Sequence, residues 1–353
     1  MIRGEGELQH NGRAAAAFDV IHARVLRFFP ELVEELGGDC REILRQAQMA
    51  PPAMAGQGIA ATYRQMIALV ALAAEWLDCP DFGMRLAARQ GGEIFGPLGM
   101  VMRHSRQFGD ALDYVVKHNF AHSPAARIWL RRFPDEGMIF SGHDILLDGV
   151  EDKSQAMEQL LLAGNLGVME MTGGQVRARR VHFRHQPVAA RAVYRRYFGC
   201  EVRFGQNEDG VYFLEKDMAC PITGADADAR SMAALFIDTE FAAHRPPLHA
   251  LVRGMVLQHL GTEACTNEHI AAALNLHPRT LHRRLAAAGT SFQKIKDEVR
   301  RDFMLYYVQK TGLDFCSISA RLGFAEQSVM SRYCHRWFAL SPSRLRAFGP
   351  AAA

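Results

Sequence analysis

The sequence predicts an α+β chain that is mostly α: a mixed α/β domain, then an all-α domain of about seven helices in which two helix-turn-helix units are joined by a long linker helix. Three observations predict this. Apolar residues keep a helical spacing over most of the 353 residues, but from Ala126 several stretches alternate with a period of two between turn residues. Beyond Pro246-Pro247 the helical spacing returns and holds to the end. Within that last stretch one short pattern occurs twice. Ile270, Leu274 and Leu276 stand 48 positions before Ile318, Leu322 and Phe324, whereas Leu281 and Arg283 stand 49 before Met330 and Arg332.

Residues 1–17 are polar, lack an apolar signal core and read as a flexible lead-in. "FDVIHARVLRFFPELVEELG" then shows helical spacing and stops at Gly37-Gly38, "TYRQMIALVALAAEWLDCP" carries one broad apolar face up to Pro80, and "PDFGMRLAARQGG" repeats the style. A helix starts near Gly96, and Phe108, Ala111, Leu112, Val115 and Val116 make the stripe of the next. "ARIWLRRFPDEGMIFSGHDIL" reads as a hairpin turning at Pro134-Asp135-Glu136-Gly137. The helix "EDKSQAMEQLLLAGNLGVMEMTG" follows, then a strand in "VRARRVHFRH", a helix in "PVAARAVYRRYFGC" and a second hairpin candidate in "EVRFGQNEDGVYFLEKDM". We expect residues 18–228 to form the first domain, 229–247 a linker and 248–353 the second domain, with helix-turn-helix units at 267–288 and 315–338. In the second domain Thr266 or Asn267 can cap one helix, Pro278 opens the next and Gly289 closes it, and Thr290 or Ser291 caps the long one.

Composition narrows the function. Hydrophobic residues at 49% and charged residues at 22% are ordinary for a soluble protein, and no apolar run nears the roughly 20 residues needed to cross a bilayer. Seven scattered cysteines without a C-x-x-C pair suggest reduced thiols in a bacterial cytoplasm. His182 and His185, or His244 and His249, lack a third partner at metal-ligand spacing, so neither a metal nor any other cofactor is expected. There is no G-x-S-x-G, Walker loop or G-x-G-x-x-G, and "GGEIFGPLG" has no following Lys-Ser/Thr; no catalytic residue is nominated and the chain is not read as an enzyme.

Charge is uneven. Residues 244–353 carry 15 Lys/Arg against 7 Asp/Glu, the rest 26 against 31, so the repeat-bearing end is +8 and the remainder −5. A basic all-helical domain with a duplicated helix-turn-helix points to double-stranded DNA. In each unit the second helix would enter a major groove. Inward Leu281 and Leu285 leave Arg279, His282 and Arg283 outward; with Met330, Cys334 and Trp337 inward, Gln327, Ser328, Ser331 and Arg332 face out. Arginine can grip guanine through two hydrogen bonds and glutamine can grip adenine. Arg284, Lys294, Lys296 and Arg336 suit phosphates, which set register without reading sequence. A linker helix of about 20 residues is about 30 Å long, close to the 34–36 Å turn of B-DNA. Duplication would thus lengthen the site that one chain reads.

Residues 248–348 resemble the DNA-binding domain of the AraC/XylS family of transcriptional regulators. The resemblance rests on "RTLHRRLAAAGTSFQKIKDEVR" and "ISARLGFAEQSVMSRYCHRWFALSPSRLR", with the Leu-Gly-Phe turn and the closing Ser-Pro-x-x-x-Arg. Met330 and Cys334 stand where phenylalanine is usual, and Ala339 where glycine is usual. "FGPLGMVMRHSRQFGDALDYVVKHNFAHSP" and "YRRYFGCEVRFGQNEDGVYFLEKDMACPITGAD" are similar to the arabinose-binding-type α/β domain of the branch with ornithine-utilisation and VirS-type regulators, which is not a cupin barrel. The resemblance implies a one-component regulator, usually an activator. It further implies a homodimer that binds promoter DNA, touches RNA polymerase and answers a small molecule or internal cue in the cytoplasm, associated with the nucleoid and not with a membrane. Arg103, His104, Tyr114, His118 and Asn119 offer polar groups beside apolar ones and are the candidate effector residues. Two other readings stay open: a DNA-binding protein whose first domain only oligomerises, and an alkyl-transfer enzyme with the same DNA module, for which the cysteine cluster is missing.

Overall fold

The computed structural model describes residues 18–47, 49, 61–150 and 152–348; the expected lead-in at 1–17 lies outside them. Contacts divide the chain into two compact units, Met1–Ile145 with Asp152–Pro246, and Leu146–Glu151 with Pro247–Ala353.

In the first unit, α1 (Phe29–Glu35), α2 (Cys40–Gln46), α3 (Tyr63–Trp76), α4 (Phe82–Gln90), α5 (Gly96–Arg103) and α6 (Phe108–His118) precede the sheet. Their starts follow local chemistry. The Asp39 carboxylate accepts from the backbone N–H groups of Arg41 and Glu42 at α2, and Thr62 and Gln65 form a reciprocal capping box at α3. Strands β1 (Ala126–Phe133) and β2 (Met138–Ile145) pair antiparallel with Phe133 opposite Met138, and Gly137 takes a left-handed conformation in the turn. This is the expected hairpin. The helix α7 (Ser154–Met171) is buried along most of its length and packs on α3, α4 and the strand Gly210–Leu214. Gly92 and Gly167 let its backbone approach a 3₁₀ turn closely, since a Cβ built at Gly92 would lie 2.7 Å from the Gly167 Cα.

The second hairpin does not form. Strands β3 (Arg180–His182), β4 (Glu201–Arg203) and β5 (Gly210–Leu214) join the sheet in the order β1-β2-β5-β3-β4. β3 inserts between the two expected hairpin partners, antiparallel to β5 and parallel to β4. The parallel pair is made possible by α8 (Arg191–Phe198), which carries the chain back between β3 and β4. β4 is left at the edge with charged Glu201 and Arg203 flanking Val202, a composition that discourages further pairing. The expected long strand in "VRARRVHFRH" is correspondingly reduced to three residues. Helix α9 (Ala227–Glu240) covers much of the expected linker and buries Ala233 and Ile237 in the same cluster as Leu98, Val101 and Val115.

The second unit holds α10 (Leu248–His259), α11 (Asn267–Ala273), α12 (Pro278–Ala287), α13 (Phe292–Lys310), α14 (Phe315–Arg321), α15 (Gln327–Phe338) and α16 (Pro342–Ala347). Thr266 caps α11, Ser291 caps α13 and Pro278 opens α12, as their types suggest. Among the described residues no helix is long and apolar enough to cross a membrane.

Candidate nucleic-acid interface and effector cavity

The repeat is structural down to its hydrogen bonds. At the end of α11, Leu276 N–H donates to Ala271 O at 2.8 Å while Asn275 takes a left-handed conformation. At the end of α14, Phe324 N–H donates to Ser319 O at 3.0 Å while Gly323 does the same. Both are helix endings in which a left-handed residue turns the chain and an apolar residue follows. The next helix starts after His277 in one unit and after Glu326 in the other, so the second turn is one residue longer. That residue accounts for the change of offset from 48 to 49.

The second helices present the faces their spacing implies. On α12, Leu281 and Leu285 are fully buried, and Arg279, His282, Arg283 and Arg284 are exposed. At 100° per residue Arg279, His282 and Arg283 share one face, and Arg284 lies on its flank. On α15, Met330 and Cys334 are buried and Trp337 only half-buried, its ring packed on Tyr333 at 5.0 Å. Gln327, Ser328, Arg332 and Arg336 are exposed, Ser331 half-buried, and the Ser328 hydroxyl donates to the Glu326 carboxylate at 3.0 Å. His335 is also exposed and lies in register with Ser328, Ser331 and Arg332. Sequence reading passed over it, although its place 49 positions after Ala286 marks the same stripe.

Helix α13 joins the units. Its 19 residues make it about 28 Å long. Lys294 is exposed, whereas Lys296 is half-buried and donates to Cys265 O at 2.9 Å. Two arginines fix the joint. Arg300, only 8% exposed, donates from Nε to Leu322 O at 2.9 Å and from Nη2 to Gly323 O, and its guanidinium lies 4.3 Å from the centre of the Phe324 ring. The whole Leu-Gly-Phe turn is thus held against the linker helix. Arg346 closes the Ser-Pro-x-x-x-Arg sequence by donating to Val308 O and Leu313 O and stacking on Phe315 at 4.2 Å. Both arginines donate to backbone carbonyls and so hold these helices and turns in place.

In the first unit a cavity of about 90 Å³ lies between the sheet and helices α5, α6 and α7. Its wall is largely apolar, with His122, His143, Ser141, Asn119 and Asn165 as the polar exceptions. Of the five residues nominated from sequence, Asn119 lines it, with its amide nitrogen donating to Ala126 O at 3.1 Å. Arg103, His104, Tyr114 and His118 lie elsewhere: Tyr114 and His118 stack on each other at 3.9 Å, and the His118 ring nitrogen bonds Tyr114 O. The two cavity histidines were missed. Ser141 and His143 alternate on one face of β2, which was the available signal.

A pair of structurally equivalent helix-turn-helix units on one linker helix, each offering an arginine-bearing second helix, defines a DNA-binding regulator. Residues 37–222 match the family described as the arabinose-binding domain of AraC transcription regulators, N-terminal, and residues 270–347 match a helix-turn-helix domain. The chain belongs to the AraC family of transcriptional regulators. The HTH-type transcriptional regulator VirS of Mycobacterium tuberculosis is 31% identical over 331 residues, covering 94% of this chain and 97% of VirS. The ornithine utilization regulator of Pseudomonas aeruginosa is 24% identical over 336 residues, covering 90% and 93% of the two chains. The crystal structure of the transcriptional regulator CdpR from Pseudomonas aeruginosa aligns with 87% of this chain and 96% of its own, at 19% identity and a TM-score of 0.41.

Proposed function

We propose that this regulator binds promoter DNA as a homodimer, activates transcription through contact with RNA polymerase, and answers a small molecule held in its α/β unit. The observation that carries the DNA reading is the exposed arginine at the same place in both units, Arg283 and Arg332, each two residues from the buried residues on either side that anchor its helix, and so on the opposite face. Arg279, His282, Gln327, Ser328, Ser331 and those two arginines are the base-reading set; Arg284, Lys294 and Arg336 grip phosphate. Lys296 donates to the Cys265 carbonyl and keeps two further N–H groups for phosphate.

Dimerisation is supported by α9. Met232, Leu235 and Phe236, at 74%, 66% and 48% exposure, form one apolar stripe on a helix whose opposite face is packed. A second copy covering that stripe would place four recognition helices on DNA and raise affinity by effective concentration. Sensing is supported by the cavity, which a purely oligomerising domain would not need.

The test is selection of bound sequences from a random DNA library by the full-length protein and its variants. Arg283→Ala and Arg332→Ala should each relax one base position and cost about 1–3 kcal/mol of discrimination. Lys294→Ala should weaken all sequences alike and flatten the salt slope by about one. Unchanged selectivity in both arginine variants would refute the assignment of the reading helices.

A further inference from the structure

We propose that the cavity beneath β2 takes a small, uncharged, largely apolar molecule bearing a single hydrogen-bonding group, such as a hydroxyl or carbonyl, and that His122 and His143 bind that group. This rests on the reading of the α/β unit as the sensor and names the class of molecule sensed.

The wall selects by charge first. Among the described lining residues there is no Arg, Lys, Asp or Glu. An ion entering would lose its hydration with nothing to pair it, a cost of several kcal/mol. A carboxylate or a zwitterionic amino acid is therefore rejected. Polarity selects next. Leu98, Leu112, Val115, Leu160, Val168 and Phe213 supply most of the surface, so a polyhydroxylated sugar would also strand its hydroxyls. Size sets the ceiling. At about 90 Å³ the cavity is smaller than the ~150 Å³ cavity that admits benzene, which limits the occupant to about half a dozen heavy atoms.

One polar group is nevertheless demanded. Both ring nitrogens of His122 and Nε2 of His143 are buried without a hydrogen-bond partner, in side chains 3% and 7% exposed. Each such atom costs about 1–3 kcal/mol until something bonds it. Burial keeps both rings neutral, pushing His122 down to about 3 and His143 to about 4. A neutral imidazole offers one donor and one acceptor, which suits a hydroxyl and a carbonyl equally.

The experiment is a thermal-shift titration of the full-length chain with four probes of about six heavy atoms each, cyclopentanol, cyclopentanone, butanoate and L-alanine, repeated for Gly164→Ala, Gly164→Leu and His143→Phe. A Cβ at Gly164 points into the space and meets only Phe95 Cζ at 4.0 Å, so Gly164→Ala folds and Gly164→Leu fills the cavity. We expect saturable rises of several degrees with the alcohol and the ketone, and none with the size-matched butanoate or L-alanine. Gly164→Leu should abolish the rise, Gly164→Ala should shrink it, and His143→Phe should weaken binding about tenfold or more. A larger response to butanoate or L-alanine would overturn the proposal, as would a response untouched by Gly164→Leu, or silence from every probe, which would mean the cavity holds water alone. DNA binding is measured in parallel. Cavity occupancy that leaves operator affinity unchanged would uphold the ligand class and refute the sensor reading.

Discussion

Replacing Arg300 by alanine should disable the second recognition helix without touching it. The guanidinium donates to the carbonyls of Leu322 and Gly323 and covers the Phe324 ring at 4.3 Å, with Asp297 3.6 Å away. Hydrogen bonds from a charged donor contribute about 1.5–3 kcal/mol each, and a cation over an aromatic ring about 0.5–2. These do not add, because one group makes them all and because water can reach the exposed Gly323 once the side chain is gone. We expect a loss of about 3 kcal/mol in the second unit. Arg300→Lys should lose about half as much, since an ammonium keeps the charge but cannot span two carbonyls. Trp337 is the tryptophan of this unit, so ¹⁹F spectra of fluorotryptophan-labelled protein report its unfolding in urea separately from Trp76 and Trp129. With a slope of about 1–1.5 kcal/mol per molar, the Trp337 midpoint should fall by about 2–3 M. Between that midpoint and the unsubstituted protein's, the DNA footprint should contract to the half read by α12. An unchanged midpoint together with a full-length footprint would refute the claim that Arg300 holds the turn.

Ala339 ends α15 in a left-handed conformation, φ 56° and ψ 16°, where alanine is strained by about 1–2 kcal/mol. Allowing for the extra freedom glycine has when unfolded, Ala339→Gly should stabilise the second unit by about 0.5–1 kcal/mol, and a lower Trp337 midpoint would contradict this. Glu158 is fully buried beside Tyr194, whose hydroxyl donates to it at 2.7 Å, and burial pushes its carboxyl up to about 8, with Asp152 and Asp81 adding to the rise. The folded state thus holds a proton that the unfolded chain releases above about 4.5, so this contribution is full at low pH and lost as pH rises through 8. Glu158→Gln should remove about 2–3 kcal/mol of the stability difference between pH 6 and pH 9, read at Trp129; an unchanged difference would show the carboxyl ionised throughout. Leu235→Glu on the exposed stripe of α9 should shift sedimentation from dimer to monomer without lowering thermal stability, and a dimer that survives it would place the interface elsewhere.

Much of the recognition surface was legible because it is local. Leu281 and Leu285 are four apart on one helix, so their burial alone turns Arg279 and Arg283 outward. The left-handed turns at Asn275 and Gly323, and the extra residue that shifts the offset, are written in a few consecutive side chains. The cavity was not legible in that way. His122, His143 and Asn165 come from a loop, a strand and a helix, and no spacing along the chain says that they face one space. Tyr114 and His118 looked equally suited to a ligand but stack on each other outside that space, with the His118 ring nitrogen bonded to the Tyr114 carbonyl.

By itself the sequence determined the class of the protein, the duplicated units and the hairpin at Ala126–Ile145, since periodicity and turn chemistry act over a few residues. Tertiary structure decided the rest. It placed β3 between β4 and β5, because strand order depends on which apolar faces meet across long separations and not on which strands are neighbours in sequence. It also spent Arg300, Arg346 and Lys296 on backbone carbonyls, a use that no count of basic residues can distinguish from a grip on DNA.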